Sequence, residues 1–412
     1  MKRVFRFTAA AVVVALGIVS CEKENTGGNL SDAEKEMKEI TESYVPGVVY
    51  SSYKDLAELT DALFEKLYSA SKAGVSALTD AEMKSIADKF LEARKAWERT
   101  EAFLYGPASV FGIDPHIDTW PLDVDALALS LSNSAQVAKL AGDDEGGIDA
   151  GIAYAGAKLG QELLGFHGIE FILFRDGKVR TASSLKAEES DVAFKGMHVT
   201  GEQELIYATA VAGDLRDNCF RLYVSWNPDA EKKFTSRCED LEVETQIAGK
   251  IYGNNILGAA KAGSTYETWQ EVMSEILEGG CINISQEVAT QKMGQAYSGK
   301  DVDYIESPYS HMSFEDFKDN LLSIQYTLYG KKGATSAQPA SLMKYFTDHS
   351  YKGVSELENT LKEAISSLDE CKAKGAFVDL GPAKDPVVQK AIDKINMLTD
   401  ALSKAEQWIV RQ

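Results

Sequence analysis

Apolar residues recur along this chain at spacings of three and four over long stretches, while period-two alternation is hard to find. The pattern predicts helices at about 48–72, 80–105, 124–138, 147–174, 201–226, 230–248, 265–279, 282–297, 313–329, 341–348, 355–374 and 385–410. Several starts carry their own punctuation. Ser31 with Glu34, Thr79 with Glu82, Thr200 with Gln203 and Ser264 with Glu267 have the reciprocal form in which a hydroxyl and a later carboxylate or amide satisfy each other's backbone N–H. Asp385 before Pro386 reads as an N-cap followed by proline in the first turn. The expected fold class is all-α.

The mature chain is longer than one helical core usually supports, so two domains are expected. The boundary falls where a polar stretch containing Gly196 leads into the Thr200 cap, giving 33–196 and 197–412. Two loops, 106–123 and 298–312, are rich in Pro, Asp, Ser and aromatics, and functional groups often sit in such segments.

Polar residues interrupt the apolar stripes at few places. Leu163, His167, Glu170 and Phe174 follow one helical face, as do Phe90, Arg94, Trp97, Glu101 and Leu104, whereas Glu98 lies one residue off and is expected in solvent. A histidine or carboxylate on a buried face must be paired or bound to something, because burial alone costs several kcal/mol. Gly165 and Gly168 flank His167 and leave room for a backbone or a ligand to approach. Glu101, His167 and Glu170 supply three N/O donors, enough for zinc with an open position or for iron. The same residues, with Arg94, also suit a purely structural polar cluster. Asp118 is a fourth ligand, a base or a helix cap. Asp316 is a cap or a cleft residue, and Trp97 and Trp120 are core aromatics or binding surfaces.

The run Gly165-Phe166-His167-Gly168-Ile169-Glu170 has the form Gly-x-His-x-x-Glu. With Arg94-Lys95-Ala96-Trp97 through Glu101-Ala102-Phe103, Gly106-Pro107, Ile117-Asp118-Thr119-Trp120-Pro121 and Glu306-Ser307-Pro308-Tyr309-Ser310, it resembles the imelysin family in order and extent. The resemblance implies two packed helical-bundle domains, four-helix-bundle-like, in a bacterial envelope protein linked to iron uptake and once classed as a metallopeptidase. It implies a metal ion, divalent or ferric, or a metal-bearing small ligand, with envelope iron-transport partners. The alternatives are a zinc-dependent peptidase and a non-catalytic adhesion module. The peptidase pattern His-Glu-x-x-His is absent, and of five histidines only His167 lies in a helix motif suited to coordination.

The first 20 residues read as a signal peptide: Lys2, Arg3 and Arg6, then an apolar run too short to span a bilayer. Gly17-Ile18-Val19-Ser20 before Cys21 resembles a lipobox, so Cys21 is the expected acylated N-terminus, with 21–32 a flexible tether. The expected location is the outer membrane, lipid-anchored and either periplasmic or surface-exposed. Cys219, Cys238, Cys281 and Cys371 match no zinc motif, and both a disulfide and free thiols suit an exported chain. With 63 acidic against 43 basic residues the formal charge is −20, which argues against nucleic acid and against adhesion to anionic lipid.

Overall fold

The computed structural model describes residues 30–142 and 146–412. The signal peptide, Cys21 and nearly all of the tether lie outside the described residues. The helices that build the site and its frame are α1 (Asp32–Tyr44), α2 (Ser51–Ala73), α3 (Asp80–Glu98), α4 (Gly165–Leu173), α5 (Gly201–Trp226), α6 (Ser313–Tyr329), α7 (Val354–Lys374) and α8 (Pro386–Ile409), with further helices between them. The strands β1 (Phe174–Arg175) and β2 (Lys178–Val179) form a two-residue antiparallel hairpin. Among the described residues the chain is all-α apart from that hairpin.

The caps decide the starts. Ser31/Glu34, Thr79/Glu82 and Thr200/Gln203 form the reciprocal bonds that open α1, α3 and α5, and Asp385 accepts from the Val387 N–H at the head of α8. Ser264 does not start a helix. Its hydroxyl donates to the Asn255 carbonyl within a turn, and the reciprocal cap forms four residues on, between Thr268 and Glu271.

Several expected helices are shorter than their apolar spacing suggests: 230–248 ends at Asp240, 124–138 is interrupted at Asn133, and two more cases bear on the site. The segment 80–105 stops at Glu98, and Glu101–Phe103 forms a separate 3₁₀ turn. The segment 147–174 breaks after Lys158, and α4 restarts at Gly165. Gly165 has φ +68°, and a Cβ there would lie 1.7 Å from the Ile117 carbonyl oxygen. The left-handed backbone and the close pass of a second strand of chain both demand glycine. All nine residues of α4 are buried, so it is a core helix without a solvent face.

Helices α2, α3, α4 and α5 pack on one another, as do α6, α7, α8 and the segment 275–292. Because α5 packs against α2 and α4, the expected division at 196/197 is not a break in packing: the first bundle runs on to Trp226. The two bundles meet where α3 crosses α6 and where the turn Glu101–Phe103 meets 275–282. That second segment is π-helical at 275–282 and again at 288–292, a geometry frequent at functional sites. Cys219, Cys238, Cys281 and Cys371 are buried free thiols.

Gly165→Ala is expected to destabilise the protein by about 2–5 kcal/mol, the sum of a left-handed alanine and a backbone clash. Gly196 has φ +83° but nothing within 4 Å of a Cβ, so Gly196→Ala should cost only the conformational part, about 1–2 kcal/mol. Equal thermal unfolding shifts for the two variants would show that the Ile117 approach is not what fixes the glycine.

Candidate functional site

Arg94 projects from α3 into a nest of buried carboxylates. Its Nη2 lies 2.6 Å from Glu98 Oε1, one helical turn on, and 2.9 Å from Glu306 Oε1 of the second bundle. Its Nη1 donates to Asp118 Oδ1. The Trp97 indole N–H donates to Asp118 Oδ2 at 2.7 Å, and His167 Nε2 lies 2.9 Å from Asp118 Oδ1. His167 Nδ1 faces Glu170 Oε2 at 3.8 Å. Glu170 Oε1 accepts from both the backbone N–H and the hydroxyl of Ser310, at 2.7 and 2.6 Å, so α4 is tied to the loop of the second bundle. Asp316, on the first turn of α6, accepts from the Ser307 hydroxyl at 2.6 Å; it secures that loop and does not cap α6.

Glu98 is fully buried, contrary to the expectation that it is solvated. Helix α3 ends at Glu98, where Arg94 pairs with its carboxylate and the Asn320 amide donates to it at 2.5 Å. Glu101, on the separate turn, faces Lys292, whose Nζ lies 3.2 Å from Glu101 Oε1, 2.9 Å from Glu306 Oε1 and 3.7 Å from Glu98 Oε2. Glu101, His167 and Glu170 therefore do not gather around one point. Lys292 carried no sequence signal, being one lysine in a helical segment. Glu306 stood in the Glu-Ser-Pro-Tyr-Ser run, where a chemical role was legible only as part of a motif.

Beside the nest lies a cavity of about 370 Å³, lined by Glu101, Asp114, Asp118, Glu287 and Lys292, with Trp120 and Tyr304 among its aromatic walls. The Trp120 and Tyr304 rings stand 4.0 Å apart. None of the histidines lines it; His167 reaches it only through Asp118.

Burial would raise the Asp118 carboxyl, but Arg94 and the hydrogen bond from His167 outweigh it and hold Asp118 well below the usual carboxylate range. Burial pulls His167 down, yet its contacts with Asp118 and Glu170 raise it overall, which favours the imidazolium. Lys292 stays an ammonium, because Glu101 and Glu306 override its burial. The carboxyls facing the cavity move the other way. Burial pushes Glu101 and Glu287 up, and burial with the charges of Asp118 and Glu287 pushes Asp114 up to about 7.

Among the described residues, Glu98, Asp118 and Glu306 bring donor oxygens within 4.8 Å of one another, the spacing a metal requires. The Arg94 guanidinium already fills that nest, so as it stands it does not fit an ion. The cavity lining is also acidic, but among the described residues its carboxylates do not meet that spacing. Glu101, Asp114 and Glu287 offer oxygen donors only, the set preferred by hard cations.

Two outcomes follow from these charges. Arg94→Met leaves buried carboxylates uncompensated and should cost about 3–5 kcal/mol in urea unfolding at neutral pH; a loss below about 1 kcal/mol would remove Arg94 from its central place. For Asp114, the folded state keeps between pH 4 and 7 a proton that the unfolded chain has lost, so its contribution to stability falls as pH rises through that window. Asp114→Asn in chelator-treated buffer should therefore raise the melting temperature more at pH 8 than at pH 4. A gain independent of pH would contradict this.

Comparison with known proteins agrees with the fold and the motifs. Residues 49–405 match the imelysin family model. The chain is 25% identical over 279 residues to iron-regulated protein A of Synechococcus elongatus, covering 68% of this chain and 60% of that protein, so the match leaves well over a third of that relative unmatched. Among solved structures, a candidate iron-regulated protein A precursor from Parabacteroides distasonis superposes with TM-score 0.65 at 22% identity, covering 93% of this chain and 97% of that one. An imelysin-like protein from Psychrobacter arcticum superposes with TM-score 0.54 at 14% identity, covering 90% and 94%. With a family match across most of its length and the Gly-x-His-x-x-Glu helix at its centre, this chain belongs to the imelysin family.

Proposed function

We propose that this protein is an extracytoplasmic imelysin, anchored by a lipid on Cys21, that binds a metal ion or metal-bearing ligand and serves iron acquisition. The observation that carries the reading is the surplus of carboxylates facing the cavity. Glu101, Asp114, Asp118 and Glu287 line it with Lys292 as the one basic side chain among them. A bound metal would supply positive charge that the protein itself lacks there. Glu101, Asp114 and Glu287 would face the bound ligand from the cavity wall. Arg94, Trp97 and His167 keep Asp118 ionised and oriented at the cavity wall. The name of the cyanobacterial relative supports the link to iron.

Peptide hydrolysis is not part of this reading. His167 is engaged by Asp118 on one nitrogen and faces Glu170 on the other, which leaves no imidazole directed at the cavity. Metalloprotease sites need histidine ligands together with a base in reach of the bound water.

The test is a metal titration of the mature chain purified from an exporting host, with its mass read for acylated Cys21. The wild type is expected to take up about one equivalent of Mn²⁺ or ferric ion, and Asp114→Asn with Glu287→Gln to lose at least about tenfold in affinity. A chain that takes up neither ion would sink the proposal.

A further inference from the structure

Leu30 follows Cys21 by only nine residues, so even a fully extended chain holds it within about 30 Å of the cysteine. Helix α1 starts at once, at Asp32, and its place in the fold decides which face of the protein lies near that cysteine. Glu36, just over one turn into α1, meets His349 Nε2 at 2.9 Å. The His349 ring stacks on Tyr345 with centroids 4.2 Å apart, and Trp408 stands 6.1 Å from Tyr345 and 5.1 Å from Tyr351. The chain therefore enters the fold beside the last turn of α8 and the loop before α7. A shallow hollow of about 450 Å³ at this end is lined by Tyr351 and Trp408, both half-buried, with Lys352, Glu356, Lys404 and Arg411.

The net charge of −20 does not describe this end. Asp32, Glu34 and Glu36 of α1 are met by Lys35, the Ser31 backbone N–H and His349, and Glu356 by Lys404. Lys352 and Arg411 are exposed, and among the described residues neither side chain has a hydrogen-bonded or ion-paired partner. Half-buried tryptophan and tyrosine beside free lysine and arginine suit a membrane–water interface, where the rings sit at headgroup level and the cations meet phosphates.

The candidate site lies at the opposite end of the same bundle. Helix α7 starts next to the hollow and ends beside the head of α6, where Glu315 pairs with Lys372 and Lys318 with Asp369. Asp316 and the loop carrying Glu306 stand at that head. The 21 residues of α7 span about 31 Å.

Resting on the lipid-anchor reading above, we propose that the end of the protein bearing Tyr351, Lys352, Trp408 and Arg411 is its membrane-facing surface. The occupant is the phospholipid bilayer that carries the Cys21 acyl chains. Trp408 and Tyr351 sit at its headgroups, and Lys352 and Arg411 meet its phosphates. A tether alone leaves the protein free to turn. This surface fixes one orientation, with the nest and the cavity held about 30 Å out from the lipid.

The experiment places the acylated mature chain on vesicles of phosphatidylethanolamine and phosphatidylglycerol whose brominated acyl chains quench nearby tryptophans. The wild type is expected to lose emission, W408F to show no such loss, and K352E with R411E to show a smaller one. If W408F does not fold, nitroxide labels on K352C and V302C decide the same point; Val302 is 47% exposed and lies two residues from the cavity residue Tyr304. The label at 352 should be shielded from an aqueous relaxation agent and the label at 302 should not. A chain carrying a histidine tag in place of Cys21, held on nickel-chelating lipid, is measured alongside. An unacylated mass in the exporting host removes the anchor reading, while the tagged chain still decides the surface. Quenching that survives W408F, or shielding at 302 in place of 352, overturns the surface and leaves the anchor standing.

Discussion

The Arg94 guanidinium is the interaction on which the site's architecture depends. It meets Glu98 of its own helix, Asp118 of the loop after α3 and Glu306 of the second bundle, all within buried surroundings. A planar group with five donors can serve carboxylates arriving from three directions, which a lysine cannot do with the same geometry. Removing charges from water is expensive, and the gain returns only when geometry is complete. The nest therefore forms only when α3, the 106–123 loop and the 306–312 loop are all in place.

The surrounding contacts read as consequences of that requirement. Trp97 and His167 fix the second oxygen and the orientation of Asp118, and Glu170 binds Ser310 so that the loop bearing Glu306 stays closed on α4. Gly165 lets the Ile117 backbone pass against the start of α4 and so brings Asp118 to the histidine. The hairpin joins the same loop through the bond from the Gly177 N–H to the Tyr309 carbonyl. Polar groups are buried here in numbers that an ordinary helical core avoids. Their concentration at the junction of the two bundles sets this region apart as a site, the buried Arg180–Glu204 and Arg216–Asp217 pairs being smaller instances elsewhere.

The nest and the adjoining cavity differ in how their charges are met. In the nest Arg94 pairs with Glu98, Asp118 and Glu306, and Asp118 stays ionised. In the cavity the carboxyls outnumber the ammonium of Lys292, and Glu101, Asp114 and Glu287 are pushed toward their neutral forms. The two environments meet at Lys292 and Asp118, so a change of charge in one is felt in the other.

The sequence by itself determined the local structure and much of the chemistry. Apolar spacing and caps fixed α5 and α6 to the residue and the starts of α1, α3 and α8, because those signals act within a turn or two of chain. The position of His167 and Glu170 on an apolar face declared that they must be satisfied inside the protein. The ends of α3 and the break before α4 were not legible, since each follows from a contact far along the chain: Asn320 receiving Glu98, and Ile117 passing Gly165. Periodicity alone extends a helix through such points. The tertiary structure also decided who meets whom. It turned Glu101 away from the histidine toward Lys292, buried Glu98, and brought Glu306 more than two hundred residues along the chain to Arg94. A single sequence records which residues are buried, through their spacing. It does not record which buried charges share a partner, because that is set by how the helices cross.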